Sequence, residues 1–145
     1  MIDYGLGNIF SIRSALRDAG ADDLVVSNDP EVVLRSDSII VPGVGAFEDG
    51  VKGLTGNGMA QALSDKVYEG IPILCICVGM QVLADKGEEF GDHQGLGFIG
   101  GTVKKIDANF NSSERFKIPF LGWKRLEINQ NNPSSKLFDG IGSSD

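Results

Sequence analysis

The stretch Pro72-Ile73-Leu74-Cys75-Ile76-Cys77-Val78-Gly79-Met80-Gln81 constrains the fold of this chain more than any other. It opens as an apolar run, the mark of a buried strand. It then passes a cysteine and enters Val-Gly-Met-Gln-Val-Leu-Ala, which reads as helix. A residue at such a strand-to-helix turn sits on a sharp elbow, its side chain lifted clear of the sheet. The N–H groups of the incoming helix point towards it and favour a thiolate and a developing oxyanion. So tight a turn needs small residues two before and two after the nucleophile. Around Cys77 these are Cys75 and Gly79. Around Cys75 they would be Ile73 and Cys77, and Ile73 is too bulky. Cys77 is therefore the candidate nucleophile, and Cys75 packs as a small apolar residue. The competing reading is a pair of core cysteines, since free cysteine is among the most buried residue types.

The flanking pattern alternates strands with helices. Ile9, Ile12, Leu16 and Ala19 follow helical spacing, with Asn8 as N-cap and Gly20 as stop. Leu24–Val26 reads as a short strand. Asp29 and Pro30 open a brief helix. Ser38–Val41 is a buried strand running into Pro42-Gly43-Val44-Gly45-Ala46-Phe47, and a helix spans about Met59–Glu69 before Gly70. Such alternation implies a three-layer α/β sandwich with a mainly parallel central sheet. Sites in these sheets gather beyond the carboxyl ends of the strands. Three loops fall there: Asp3–Asn8, Pro42–Phe47 and the elbow. After about Lys86 the pattern changes to strands joined by loops, at Gly95–Val103, Lys117–Trp123 and Arg125–Ile128. Asn109–Glu114 and Asn129–Ser135 read as loops, and Leu137-Phe138 as a last apolar anchor.

With 145 residues there is enough chain for one domain with a real core. The formal net charge of -7 argues against nucleic acid as the main partner. No apolar run reaches the length of a membrane span, and no signal peptide is visible. Two cysteines two residues apart are not a disulfide framework, so reduced thiols and a cytoplasmic setting are expected. Gly5-Leu6-Gly7-Asn8 invites a dinucleotide-binding reading, but the third glycine of the fingerprint would fall at Phe10. Pro42-Gly43-Val44-Gly45 fits an oxyanion loop better, because glycines let the backbone approach a ligand and turn its N–H groups inward. An ordinary strand-to-helix turn would need the same glycines.

Five segments together carry a resemblance. Ile2-Asp3-Tyr4-Gly5-Leu6-Gly7-Asn8, Pro42-Gly43-Val44-Gly45-Ala46-Phe47, Cys77-Val78-Gly79-Met80-Gln81, Gly95-Leu96-Gly97 and Pro119-Phe120-Leu121-Gly122-Trp123 occur in the order expected of the HisH family. These are the glutaminase subunits of imidazole glycerol phosphate synthase, within the class I (triad) glutamine amidotransferases. The resemblance covers nearly the whole chain, as one amidotransferase domain over 1–145. It implies that Cys77 attacks the side-chain amide of glutamine to give a glutamyl thioester and ammonia. Val78 and an N–H from the Val44–Gly45 turn would stabilise the oxyanion. Gly45, Gln81 and Glu89 match positions that hold L-glutamine, though a glutamate is more often a solvated surface residue. Asn8 and Trp123 match the face that meets a cyclase subunit, where a tryptophan is a plausible contact anchor or, alternatively, a core aromatic. No cofactor, metal, nucleic acid or membrane is implied.

Two departures stand out. Cys75 replaces the glycine usual two before the nucleophile. The family's triad also needs a histidine base and a glutamate close together near the C-terminus. This chain has one histidine, His93, in Gly91-Asp92-His93-Gln94, and it does not match that base. The expectation is a partial domain, shortened at the C-terminus and at the N-terminus, whose own turnover is absent. Three other readings stand beside the glutaminase subunit. One is a paralogue feeding ammonia to a sugar-modifying partner. Another is a non-catalytic interaction module, and a third is a different cysteine hydrolase on a similar fold.

Overall fold

The computed structural model describes residues 1–106, 122, 123, 125, 127, 128 and 137–141. The chain divides into two compact units, Met1–Lys105 and Ile106–Asp145.

The first unit carries the regular structure. Helix α1 (Ile9–Asp18) starts at Asn8, whose side-chain oxygen accepts from the Ser11 N–H. It lays Ile9, Ile12 and Leu16 half-buried along one side. Helix α2 (Pro30–Leu34) starts at Asp29 with Pro30 in its first turn, as the sequence predicts. Strand β1 (Ile39–Val41) follows, then α3 (Phe47–Thr55), α4 (Met59–Tyr68) and strand β2 (Ile73–Cys75). A single turn, α5 (Val78–Gln81), leads to β3 (Ala84–Gly87), β4 (His93–Gln94) and β5 (Ile99–Val103). No helix among the described residues is long and apolar enough to cross a membrane.

β1 and β2 pair in parallel, Ile39 opposite Ile73 and Val41 opposite Cys75. Ile2 lies alongside, its N–H on the Ile40 carbonyl at 2.9 Å. The fold is α/β with parallel strands. A second, mixed sheet has the order β4-β3-β5, antiparallel between β3 and β4 and parallel between β3 and β5. The antiparallel β3–β4 hairpin belongs to this second sheet and leaves β1 and β2 parallel. It turns through Phe90 and Gly91, both at positive φ. The core joins Ile2, Val33, Ile39, Val41, Phe47, Leu54, Met59, Leu63, Val78 and Val82.

Several elements differ from the sequence reading. Leu24–Val26 is not a strand: its neighbour Ser27 makes one parallel bridge, with Ile2. Met1–Asp3 offers too few partners for a ladder. The helix after the elbow stops at Gln81 instead of running to Ala84, because Leu83 and Ala84 are drawn into the second sheet. There the Leu83 carbonyl accepts from Phe98 and Ile99. The strand expected from Gly95 begins only at Ile99, after the turn that makes those bonds. Helix α3 was not expected at all, since Gly50 and Gly53 each cost a helix about 1 kcal/mol relative to alanine. Packing explains both glycines. A Cβ on Gly50 would sit 2.8 Å from Val82, and one on Gly53 would sit 2.7 Å from the Tyr4 ring.

In the second unit, Gly122, Trp123, Arg125, Glu127 and Ile128 lie outside any strand. Leu137 and Phe138 form a short 3-10 turn, with Leu137 exposed. The remaining residues of the expected strands 117–123 and 125–128, and the loops 109–114 and 129–135, lie outside the described residues.

Candidate active site

Cys77 stands between the end of β2 and the start of α5, at φ 55 and ψ -120. For a residue with a Cβ this is a sparsely populated conformation, costing on the order of 1–3 kcal/mol. It is held by the chain on either side. Ile76 donates to the Val41 carbonyl at 2.9 Å, which ties the strand end to β1. Met80 and Gln81 both donate to the Cys77 carbonyl, at 2.9 and 3.1 Å, which closes the turn behind it. Cys77 itself is exposed. The sequence demand for a small residue two positions on has a specific cause. A Cβ on Gly79 would lie 2.3 Å from the Val41 carbonyl oxygen and 2.9 Å from that of Pro42.

The Pro42–Gly45 loop leaves β1 directly against this elbow. A Cβ on Gly43 would lie 2.2 Å from the Gly79 nitrogen and 2.9 Å from the Val78 carbonyl carbon. Gly45 takes φ +105 with open space where a side chain would be, and Val44 is half exposed. Among the described residues no acceptor takes the N–H of Val44 or Gly45. Val78 is the first residue of α5, so its N–H is one of the donors a helix start leaves free. The structure thus packs the Gly43 start of this loop, followed by Val44 and Gly45, on Val78 and Gly79 beside Cys77. That arrangement can receive an acyl group on sulfur and present N–H donors to its oxygen.

Gln81 lies one turn after Cys77, hence on the same side of α5, and is half-buried. Glu89 has an engagement that the sequence did not suggest. Its Oε2 accepts from the Phe47 N–H at 2.9 Å, capping α3 from a hairpin distant in sequence. Ala46, the residue at the cap position, offers no side-chain acceptor of its own. Phe47 is fully buried, with its ring in the space a side chain on Gly87 would need. Glu89 and Gly87 therefore fix the far end of the Pro42–Phe47 segment.

His93 lies on β4, mostly buried, with Nδ1 3.7 Å from Glu48 Oε1 on α3. Its Nε2 is buried without a protein partner among the described residues. Asn8 is exposed and serves as the α1 cap; Trp123 is fully exposed in the second unit.

Tyr4 is the residue that sequence reasoning missed. Its hydroxyl donates to the Pro42 carbonyl at 2.5 Å. Burial pushes its pKa up to about 12, helped by the two nearby thiols. The signal was available: a tyrosine in a loop at a strand's carboxyl end has a hydroxyl that needs a partner once buried.

Burial also pushes the Cys75 thiol up to about 11. The folded chain therefore holds that proton more tightly than the unfolded chain does. The resulting stability is full below the ordinary thiol pKa of 9.0 and is lost as pH rises through 11. The melting midpoint is expected to fall between pH 9 and 11, and to fall less in Cys75→Ala. A midpoint flat across that range in the parent chain would contradict the burial argument.

A family model described as glutamine amidotransferase class-I matches residues 1–141. The chain belongs to the class-I glutamine amidotransferase family. Among curated proteins it is 40% identical over 141 residues to imidazole glycerol phosphate synthase subunit HisH of Geobacillus thermodenitrificans (strain NG80-2), covering 97% of this chain and 64% of that one. It is 45% identical over 148 residues to the subunit of the same name from Rhodospirillum rubrum, covering 97% and 67%. The corresponding subunit of Zymomonas mobilis subsp. mobilis is 45% identical over 132 residues, covering 88% and 61%. The chain thus spans less than two thirds of the length of the Geobacillus and Zymomonas relatives.

Proposed function

We propose that this chain is the nucleophile-bearing part of a glutaminase subunit of imidazole glycerol phosphate synthase. The observation that carries the reading is Cys77, held at positive φ with the Gly43–Gly45 loop packed on the first residues of α5. Cys77 Sγ attacks the side-chain carbonyl carbon of glutamine. The Val78 N–H and an N–H of the Val44–Gly45 turn take the developing oxyanion. Collapse breaks the C–N bond, releases ammonia on protonation of the nitrogen, and leaves a glutamyl thioester. Water then cleaves the thioester to glutamate and regenerates the thiol. Gly45, Gln81 and Glu89 hold the substrate, with Glu89 offering Oε1 to the glutamine ammonium while Oε2 stays on Phe47.

Proton delivery to the leaving nitrogen is a separate requirement, worth on the order of 10²–10⁴-fold. The sequence contains one histidine. His93 faces Glu48 and we assign it a structural place. The 145-residue chain by itself is therefore read as forming a covalent adduct at Cys77 without turning glutamine over. The ammonia is destined for a cyclase subunit in a cytoplasmic heterodimer of histidine biosynthesis, with Asn8 and Trp123 each a contact to that subunit.

The test is labelling by a glutamine-shaped chloromethyl ketone beside an ammonia-release assay. Expected are a stoichiometric adduct, protection from labelling by glutamine, and no ammonia from the parent chain. Absence of glutamine protection would count against the substrate. Ammonia release that disappears in His93→Ala would make His93 the base.

A further inference from the structure

We propose that Tyr4 is a positioning residue of the oxyanion loop, its hydroxyl fixing the Pro42–Gly43 peptide from which the Val44 and Gly45 N–H groups are aimed at the substrate oxygen. This rests on the glutaminase reading of the Cys77 site.

The loop has little means of holding itself. Gly43 and Gly45 lack side chains, Gly45 sits at φ +105 in open space, and Val44 is half exposed. Glycine backbone left alone samples many conformations. Oxyanion donors contribute only when they are preorganised, so something outside the loop must set its geometry. Among the described residues one side chain hydrogen-bonds to the 42–45 segment, and it is Tyr4, on the Pro42 carbonyl. A carbonyl and the following N–H lie in one plane, so fixing the Pro42 oxygen fixes the orientation of the peptide that begins the loop.

The Tyr4 ring is itself held in place. It fills the space beside Gly53 on α3, whose Cβ would fall 2.7 Å from ring carbon Cδ2. A Cβ on Gly43 would fall 3.0 Å from the Tyr4 hydroxyl oxygen. The same N-terminal loop reaches Pro42 a second time, through Gly7, where a Cβ would lie 2.9 Å from the proline ring. Tyr4 thus joins three things in one contact: the loop after Ile2, the start of the oxyanion loop, and helix α3 at Gly53, whose missing side chain admits it.

The test separates aiming of the loop from reactivity of the thiol. Cys77 alkylation by the glutamine-shaped chloromethyl ketone needs the ketone oxygen seated among the loop donors. Alkylation by iodoacetamide needs the thiolate alone. In Tyr4→Phe the ratio of the two rates is expected to fall about tenfold, a fraction of the 10²–10³ lost when an oxyanion donor is removed outright. The iodoacetamide rate and the melting midpoint stay near those of the parent. Uniform replacement of tyrosine by 3-fluorotyrosine keeps ring and donor, and the other tyrosine, Tyr68, is 95% exposed. That protein is expected to keep the parent ratio even if Tyr4→Phe does not fold. An unchanged ratio in Tyr4→Phe, an equal fall in both rates, or a lost ratio with fluorotyrosine overturns the inference. If the parent chain shows no preference for the glutamine-shaped reagent, the glutaminase reading fails first, a result distinct from any of these.

Discussion

Replacing Cys77 by alanine is expected to abolish covalent labelling by the glutamine-shaped chloromethyl ketone, while Cys75→Ala leaves it intact. The two thiols lie two residues apart, yet their surroundings differ. Cys77 is exposed at the elbow, and Cys75 is part-buried in β2. With its pKa near 11, Cys75 is ionised in only about one molecule in a thousand at pH 8. Thiolate is the attacking form, so Cys75 contributes almost nothing on the timescale of Cys77 labelling. Peptide mapping by mass spectrometry after brief exposure at pH 8 checks this. Label found chiefly on Cys75, or persisting in Cys77→Ala, would remove the nucleophile assignment and the elbow argument with it.

Gly79→Ala is expected to be strongly destabilising, because the added methyl would meet only backbone. The added carbon would lie 2.3 Å from one backbone oxygen and 2.9 Å from another. Neither belongs to a side chain that could swing away. One oxygen ends β1 and the other starts the Pro42–Gly45 loop, so relief requires parting the elbow from the loop. Overpacking of this kind costs roughly 1–3 kcal/mol and sometimes more, against a total stability of about 5–15 kcal/mol. A loss near ~3 kcal/mol lowers the melting midpoint by on the order of 10 °C in a chain of this size. Gly100→Ala is the control, since its Cβ would meet nothing closer than 3.9 Å. Equal midpoints for the two variants would show that the elbow and β1 are not packed as described.

The elbow was legible because its demands are local. A strand, a cysteine and a small residue at each flank are all in ten consecutive letters, and the structure adds only the reason for Gly79. The capped helices α1, α2 and α4 were legible for the same cause: Asn8, Asp29-Pro30 and Gly70 are punctuation that acts within a turn. What stayed hidden was decided by distant partners. Helix α3 contains two glycines that argue against it in isolation and are explained only by Val82 and Tyr4 packing there. Its first N–H is satisfied by Glu89, 42 residues further along. Strand β3 hides in Ala-Asp-Lys-Gly, which has no strand propensity and is recruited by β4 and β5. Leu24–Val26 shows the reverse error, a sequence with the right composition and too few neighbours to pair with. The candidate site followed the same division. The place of Cys77 at a strand-to-helix turn could be read from local spacing, and Val78, Val44 and Gly45 were proposed through the family resemblance, while Tyr4 and the second engagement of Glu89 needed coordinates.

The register of β1 against β2 sets where this chain can change length. Val41 faces Cys75, so the Pro42–Gly45 loop and the Cys77 elbow emerge from the sheet at the same level. Inserting one residue into either strand would slide one emerging end past the other by about 3.3 Å. It would also turn every following side chain of that strand to the opposite face. Segments 39–45 and 73–79 are therefore fixed in length as a pair, and an insertion in one has no local remedy in the other. The turns at Ala19–Asp23 and Glu69–Gly70 are mostly exposed and lie away from both ends. A split reporter, an affinity loop or a circular permutation belongs at those turns, where added residues leave the two strand ends level.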